Sequence, residues 1–245
     1  MDTIERIARR NRLRAEEVIR DSRLAEIWRS VGAEVRQVGS LRSGLLMKHR
    51  DIDFHIYSSP LRLEESFAAM AQLAADPAVG RIECRNLLAT DEACVEWHAT
   101  YRDRDGDEWQ LDMIHIVRGS RYDGYFERVA DRIAAALTPV TRRAILQLKY
   151  DTPDEVKIAG IEYYVAVLRD GVRTYDAFAE WRRTHPLDDA LTGPYSRRPA
   201  QDAPVPVRTR YPVVLSAGGS TAKRNAKKSR RRKKRNRFYL VIPHF

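Results

Sequence analysis

The feature that most constrains the fold is a six-residue segment, 51–56, in which polar and large apolar residues alternate as DIDFHI. Alternation with a period of two is typical of a β-strand, because successive side chains of a strand point to opposite faces of the sheet. In a strand, Asp51, Asp53 and His55 share one face, and three large apolar side chains share the other, where helices can cover them. The sequence therefore predicts a half-buried strand that carries two carboxylates, roughly 6–7 Å apart along its polar face.

Helices and further strands are predicted on both sides of this strand. Apolar residues at three- and four-residue spacing predict a helix over 3–30, and an Asp-Gly pair within 103–107 predicts a hairpin turn. The other predicted strands are 35–38, 81–88, 95–102 and 108–117, and the other predicted helices are 41–47, 63–75, 122–137, 140–150, 153–169 and 173–184. This order predicts an α/β (α+β) fold with a small mixed sheet flanked by helices, followed by a helical half.

Charge divides the chain into a near-neutral body and a basic segment. The sequence has 44 Lys and Arg against 34 Asp and Glu, a net charge of +10, but 11 of the basic residues and no acidic ones lie within 223–237. The remainder therefore has 33 basic and 34 acidic residues, a net charge of −1. We attribute any weak, non-specific contact with nucleic acid to residues 223–237, and not to the folded body.

Composition predicts where the chain changes character. Proline, glycine and serine become frequent over 187–222, which is typical of a linker with little regular structure, and a basic tail, expected to be disordered, follows over 223–245. We predict a core over 1–120 that contains the carboxylate strand, and a helical subdomain over 121–186. The N-terminus lacks the apolar run of a signal peptide, and no stretch approaches the roughly 18 apolar residues of a membrane span, so we expect a cytoplasmic protein.

A glycine and a serine precede the carboxylate strand. Gly39 and Ser40 follow the predicted strand 35–38 and begin a short helical turn, so that backbone N–H groups are exposed at its start and Ser40 can cap it. Glycine also allows an anion to approach the backbone closely. Together with Lys48 and Arg50 in the flexible, positively charged segment that follows, this turn predicts a phosphate-binding site.

Asp112 is a single carboxylate inside the apolar strand 108–117. An ionised aspartate in such a place costs free energy unless it is paired or bound to a metal. If this strand lies beside the strand of Asp51 and Asp53, three carboxylates converge, and carboxylates arranged in this way can hold two divalent ions roughly 3.5–4 Å apart. Hard oxygen ligands favour Mg²⁺ or Mn²⁺ over zinc.

These features occur in a recognisable order. Gly39-Ser40, then Asp51-Ile52-Asp53 after an eleven-residue step, and then the distant Asp112 between apolar residues resemble the motif set of the polymerase-beta-like nucleotidyltransferase superfamily. The resemblance covers about residues 30–120. It implies a nucleotidyltransferase core that moves a nucleoside monophosphate from a nucleoside triphosphate, expected to be ATP, to an acceptor hydroxyl.

The resemblance also implies roles for the motif residues. The two close aspartates would bind both metal ions, and Asp112 would bind one of them and help to deprotonate the attacking hydroxyl. Gly39 and Ser40 would hold the triphosphate. Three further basic residues are candidates for phosphate contacts: Lys48, Arg50 and, from the helical half, Lys149.

The acceptor and one alternative function stay open. The acceptor could be a small molecule, an RNA end or a protein side chain, and the near-neutral body, with no recognisable RNA-binding module, favours a small molecule or a protein. The alternative is a catalytically silent module of the same fold whose basic tail binds nucleic acid or a partner. A zinc site formed by His55, His98 and His115 is disfavoured because their spacing is not that of a zinc motif and no thiolates accompany them; we expect His55 at the rim of the carboxylate site.

Overall fold

Five strands form one sheet in the part of the protein that the computed structural model describes, residues 2–185. The strands are β1 (Glu34–Gln37), β2 (Asp51–Ser58), β3 (Val79–Asn86), β4 (Cys94–Arg102) and β5 (Glu108–Val117). The helices are α1 (Thr3–Asp21), α2 (Leu24–Ser30), α3 (Gly39–Arg42), α4 (Leu63–Leu73), α5 (Tyr125–Ala136), α6 (Pro139–Asp151), α7 (Gly160–Tyr164), which a π-helical turn (Val165–Arg169) follows, and α8 (Tyr175–Thr184). The predicted fold class is thereby confirmed, and the predicted linker and tail lie outside the described residues.

The sheet is mixed, with the strand order β1-β2-β5-β4-β3. β2 and β5 run parallel, whereas β1 and β2, β5 and β4, and β4 and β3 pair antiparallel. β4 and β5 form the hairpin that was predicted around the Asp-Gly turn, and Arg102 lies opposite Glu108 at its closed end. The strand that carries Asp112, β5, is therefore the middle strand, and the strand that carries Asp51 and Asp53, β2, lies directly beside it.

The apolar face of the sheet packs in a core that α2 and α4 share. Trp28 of α2 is fully buried, its indole Nε1 lies 3.5 Å from the Met113 sulfur, and both belong to the same cluster as Ile52 and Leu111. Burying these large side chains is worth about 1.5–3 kcal/mol each relative to leaving them in water. The alternation read from the sequence thus places the carboxylates on the opposite face.

A second core joins the helical half to the start of α1. It contains Ile4 of α1, Leu45 of the segment after α3, and side chains of α6 to α8. The aromatic side chains of Tyr163, Tyr164 and Trp181 are all buried within it. No helix within residues 2–185 is both long enough and apolar enough to cross a membrane.

Two predicted helices are interrupted in the structure. The helix predicted over 3–30 is broken because Arg23 adopts a left-handed conformation (φ 51°), which lets α2 leave the axis of α1 and bury Leu24 and Trp28. The helix predicted over 153–169 begins only at Gly160. Pro153 explains instead why α6 ends, because it disfavours a helical conformation at Thr152, which is extended.

The short helix predicted over 41–47 is also shifted. α3 begins at Gly39, two residues earlier, and ends at Arg42. The residues that follow are irregular, and their carbonyl groups bond to side chains of other elements instead of continuing a helix.

A buried imidazole on β5 makes the stability of the fold sensitive to acid. His115 is 1% exposed, its Nε2 lies 2.8 Å from Ser58 Oγ, and Trp28 contacts its ring edge-on. Burial lowers the pKa of His115 to about 4. Because the unfolded chain binds this proton near pH 6.5, the unfolded state gains protons first as the pH falls, and the native state loses stability between pH 6.5 and 4.

We predict that the free energy of unfolding falls less in His115→Gln than in the native protein as the pH is lowered from 6.5 to 4. Glutamine keeps a donor and an acceptor for Ser58 but does not take up a proton. The difference should be on the order of 1–3 kcal/mol. Urea unfolding at pH 7, 5.5 and 4.5 measures it, and His185→Gln, a change at an exposed histidine, is the control. Identical pH slopes for the native protein and His115→Gln would contradict the account.

Candidate active site

The parallel pairing of β2 with β5 brings the predicted carboxylates together. Asp53 lies directly opposite Asp112, and Asp51 lies opposite Gln110. Opposed residues of neighbouring strands point to the same face, and such strands are about 4.8 Å apart. All three aspartates are therefore on one face of the sheet, the face that α2 and α4 do not cover.

The Gly39-Ser40 turn lies against this group. The backbone N–H of Val38 donates to the carbonyl oxygen of Asp53 at 3.0 Å. Gly39 has a positive φ of 69°, and a Cβ atom added to it would lie 1.9 Å from Asp53 Oδ2. Only glycine fits between the start of α3 and this carboxylate, so the predicted phosphate-binding turn and the predicted metal ligand are neighbours in the fold.

The segment between α3 and β2 was predicted to be flexible, and the structure instead fixes it through its carbonyl groups. From α6, Arg142 donates to the carbonyl oxygen of Gly44 at 3.2 Å and Lys149 donates to that of Leu45 at 3.0 Å. From α1, Asn11 donates to a third carbonyl oxygen of the segment at 2.6 Å. These contacts attach the turn to the helical half and hold the entry into β2.

The three basic candidates for phosphate contact all have partners within the protein. Lys149 is 8% exposed, and beyond its bond to the segment its Nζ lies 3.3 Å from the Tyr164 hydroxyl. Lys48 pairs with Asp154 at 2.8 Å, and Arg50 pairs at 2.8 Å with an aspartate of the β4–β5 turn. Contact of any of them with a phosphate stays a prediction.

Asp112 is held by two hydrogen-bond donors. His98 Nδ1 and Gln110 Nε2 each lie 2.6 Å from Asp112 Oδ1. Burial opposes a charge on His98, but the hydrogen bond to Asp112 and the nearby charges of Asp112 and Glu96 raise the pKa of His98 to about 9. At neutral pH the histidine is therefore a cation beside the buried aspartate.

The carboxylates fit a hard divalent cation in chemistry, although their donor atoms are not gathered around one point. Within residues 2–185, no three His, Cys, Asp or Glu side chains are arranged so that they could hold a metal ion. Three carboxylates nevertheless supply the oxygen donors that Mg²⁺ and Mn²⁺ prefer. The strand register brings Asp51, Asp53 and Asp112 to one face of the sheet, and metal binding by them stays a prediction.

The helix α5 covers the far part of the same face. His55 is fully buried, and its Nδ1 lies 3.1 Å from Glu127 Oε2, while the Tyr57 hydroxyl donates to Glu127 Oε1 at 2.7 Å. Burial of Glu127 opposes its charged form, but these hydrogen bonds and the charge of His55 lower its pKa to about 2. His55 was expected at the rim of the carboxylate site, and the structure places it beneath α5 in this network.

Three of the residues that shape the site were not identified from the sequence. Glu127 could not have been, because its role depends on how α5 packs on the sheet. Gln110 and His98 had a signal: Gln110 is two residues from Asp112 on the same strand face, and the hairpin turn fixes His98 opposite Asp112. The three strand histidines have separate partners, so they do not form the disfavoured zinc site.

A cavity of about 340 Å³ lies beside the segment that follows α3, and the three aspartates of β2 and β5 do not line it. Its walls combine Arg9, Arg12 and Glu5 of α1 with Arg142 and apolar side chains. Arg142 already donates to Gly44 and pairs with Glu5. The candidate active site is therefore the face of the sheet around the aspartates, and this cavity is separate from it.

No protein-family model and no curated protein matches the sequence. One solved structure of similar fold is the Cid1 poly(U) polymerase with MgGTP bound, with 17% identity over 65% of this chain and 50% of that one and a TM-score of 0.47. Another is a cytoplasmic RNA terminal U-transferase, with 15% identity over 63% of this chain and 48% of that one and a TM-score of 0.45. A third is the non-canonical poly(A) polymerase complex GLD-2–GLD-3, with 10% identity over 68% of this chain and 58% of that one and a TM-score of 0.43. The chain spans about half the length of the first two. At 10–17% identity, the likeness to these three structures is one of fold alone.

Substitution of two glycines that share a backbone conformation can distinguish the cost of backbone strain from the cost of a clash with Asp53. Gly39 and Gly44 have φ of 69° and 72°, but a Cβ atom at Gly44 would meet nothing within 4 Å. We predict that Gly44→Ala costs about 1–2 kcal/mol, the backbone penalty alone, and that Gly39→Ala costs more because Asp53 must move. Urea unfolding of both variants measures the difference, and equal losses would show that Asp53 does not constrain the turn.

Proposed function

We propose that the protein transfers a nucleoside monophosphate from a nucleoside triphosphate to an acceptor hydroxyl, with Asp51, Asp53 and Asp112 as ligands of Mg²⁺ or Mn²⁺. The observation that carries this proposal is the register that sets Asp53 opposite Asp112. The approach of Gly39 to Asp53 supports it, because it joins an anion-binding turn to the carboxylates. A nucleotide transfer needs both features at one place.

Each part of the site has a task in this proposal. The first N–H groups of α3 lack partners within the helix, so the turn at Gly39 and Ser40 can donate to phosphate oxygens. Bound divalent ions would neutralise phosphate charge and lower the pKa of the attacking hydroxyl. Asp112 would accept the hydroxyl proton. Its Oδ1 is occupied by two donors, and Oδ2 receives no hydrogen bond from any residue between 2 and 185.

The basic candidates would act around this centre. Lys149 is the candidate that is bonded to the segment that follows α3, which connects the Gly39-Ser40 turn to β2. Lys48 and Arg50 lie on the surface in ion pairs, which contribute little to stability and can be exchanged at small cost.

Charge favours a small molecule or a protein as the acceptor. Residues 1–185 contain 29 Lys and Arg against 31 Asp and Glu, so this part of the chain has no excess positive charge with which to hold a long polyanion. An RNA acceptor would depend on the basic residues of 223–237 for affinity. One of the solved structures of similar fold is an RNA terminal U-transferase, so RNA should be tested as an acceptor together with small hydroxyl compounds. Each acceptor should be offered ATP, UTP, GTP and CTP in turn.

We predict that Asp53→Asn lowers the rate of Mg²⁺-dependent pyrophosphate release by at least about 100-fold, because it removes a ligand charge at the centre of the site. Asp91→Asn, a change at an exposed carboxylate of the β3–β4 loop, is the matched control and should leave the rate unchanged. The measurement uses the full chain with α-³²P-labelled triphosphates and follows the label onto the acceptor.

Two outcomes would contradict the proposal. One is label transfer by Asp53→Asn at the native rate. The other is nucleotide binding that is equally tight with and without Mg²⁺ in both proteins, with no transfer to any acceptor, which is the behaviour expected of a catalytically silent module.

A further inference from the structure

Both side chains that donate a hydrogen bond to Asp112 do so to the same carboxylate oxygen, Oδ1. Asp112 is 8% exposed, and both His98 Nδ1 and Gln110 Nε2 bond to its Oδ1. Because a carboxylate is planar, fixing one oxygen from two directions also fixes where the second oxygen lies. The rotation of the Asp112 side chain is therefore set by these two neighbours.

The sheet order places one of the two donors, His98, on the side of Asp112 away from the other carboxylates. β5 lies between β2 and β4, so Asp53 and His98 flank Asp112 from opposite sides. His98 thus holds the aspartate from the side away from the other two predicted ligands. The oxygen that stays without a hydrogen bond is the one left for a ligand.

His98 lies close to a second buried carboxylate on the polar face. Its Nε2 lies 3.9 Å from Glu96 Oε2, and the same oxygen of Glu96 accepts a hydrogen bond from Arg85 at 2.8 Å. Glu96 is 1% exposed, and its other oxygen has no hydrogen-bond partner in the described part of the chain. Burying a charged side chain costs free energy unless the charge is paired; Glu96 is paired with Arg85, and the His98 ring lies near it.

We propose that His98, together with Gln110, is a positioning residue that fixes one oxygen of Asp112 and so presents the other to the metal-binding site. The inference rests on the proposed function, since it assigns His98 a task in that same site. It goes beyond the motif residues, because neither His98 nor Gln110 belongs to the glycine-serine or aspartate motifs. Residues that orient a ligand in this way typically change metal affinity or activity by about 10- to 100-fold when they are removed.

The imidazole offers a matched pair of substitutions. The side-chain amide of asparagine can place a donor near the position of His98 Nδ1, whereas leucine fills similar space without a donor. We expect His98→Leu to weaken Mn²⁺ binding by about 10-fold or more and to lower kcat with little change in the KM for the triphosphate. We expect His98→Asn to restore both to within about threefold of the native values.

Mn²⁺ binding is measured on the full chain without nucleotide, by the electron paramagnetic resonance signal of free Mn²⁺. Native affinity in His98→Leu would overturn the proposal, and so would equal losses in His98→Leu and His98→Asn, which would indicate a merely structural role. If His98→Leu does not fold, Gln110→Leu removes the second donor from the same oxygen and should weaken Mn²⁺ binding in the same direction. Unchanged binding in Gln110→Leu would then overturn the proposal.

A metal-free readout separates this inference from the proposed function. In ¹⁵N-labelled protein, the Nδ1–H signal of His98 should show a strong hydrogen bond and should shift in Asp112→Asn. If that contact is present but neither Asp112→Asn nor Asp53→Asn changes Mn²⁺ binding, the metal assignment fails. If both aspartate variants lose Mn²⁺ and His98→Leu keeps it, the metal assignment stands and the positioning role fails.

Discussion

Parallel pairing of β2 with β5 is the contact on which the candidate site depends. These strands are far apart in sequence, yet their register sets Asp53 and Asp112 in one row of the sheet. A shift of one residue would turn every side chain of a strand to the other face. The register is protected by burial on that other face, where Ile52, Leu111 and Met113 would have to enter water. The apolar core therefore determines which face carries the acidic side chains.

Like charges in one row repel, and the fold balances this repulsion from both sides. On the β4 side, His98 donates to Asp112, and Gln110 of β5 itself donates to the same oxygen. On the β1 side, the chain turns at Gly39, and α3 begins directly against Asp53. The far end of the face is closed by Glu127, whose charge is satisfied by His55 and Tyr57. The polar face is thus anchored beneath α5 and left partly exposed around Asp51 and Asp53.

The turn beside the carboxylates is fixed from the helical half. Side chains of α1 and α6 bond to backbone carbonyl groups between α3 and β2, and Leu45 of the same segment belongs to the core of the helical half. A rearrangement of that core should therefore change the position of the Gly39-Ser40 turn. This gives the helical residues a structural link to the site in addition to any role in binding an acceptor.

Local patterns in the sequence were sufficient for part of this arrangement. Alternation in 51–56 predicted β2 and its two faces, and the Asp-Gly turn predicted the β4–β5 hairpin. The same hairpin determines that His98 faces Asp112, a consequence that only needs counting from the turn. The parallel pairing of β2 with β5 could not be predicted from the sequence. Alternation indicates which side chains of a strand share a face, but it does not indicate which strands are neighbours in the sheet.

Other features depend on contacts between distant segments and leave no local pattern. The break at Arg23 follows from burying Trp28 against the sheet, and the bond from Lys149 to Leu45 follows from docking α6 beside the turn. Glu127 reads as an ordinary charged residue of an amphipathic helix until α5 is packed on the sheet. At Arg23, burial of Trp28 outweighed helix propensity.

The central claim is that the three aspartates of β2 and β5 together bind divalent cations. Crystals of the protein grown with Mn²⁺ and a non-hydrolysable nucleoside triphosphate test it most directly, through anomalous diffraction at the manganese edge. The account predicts manganese peaks within about 2.3 Å of oxygen atoms of Asp51, Asp53 and Asp112, with the phosphates beside Gly39 and Ser40. Manganese bound elsewhere, or a nucleotide bound with no manganese at these carboxylates, would contradict it.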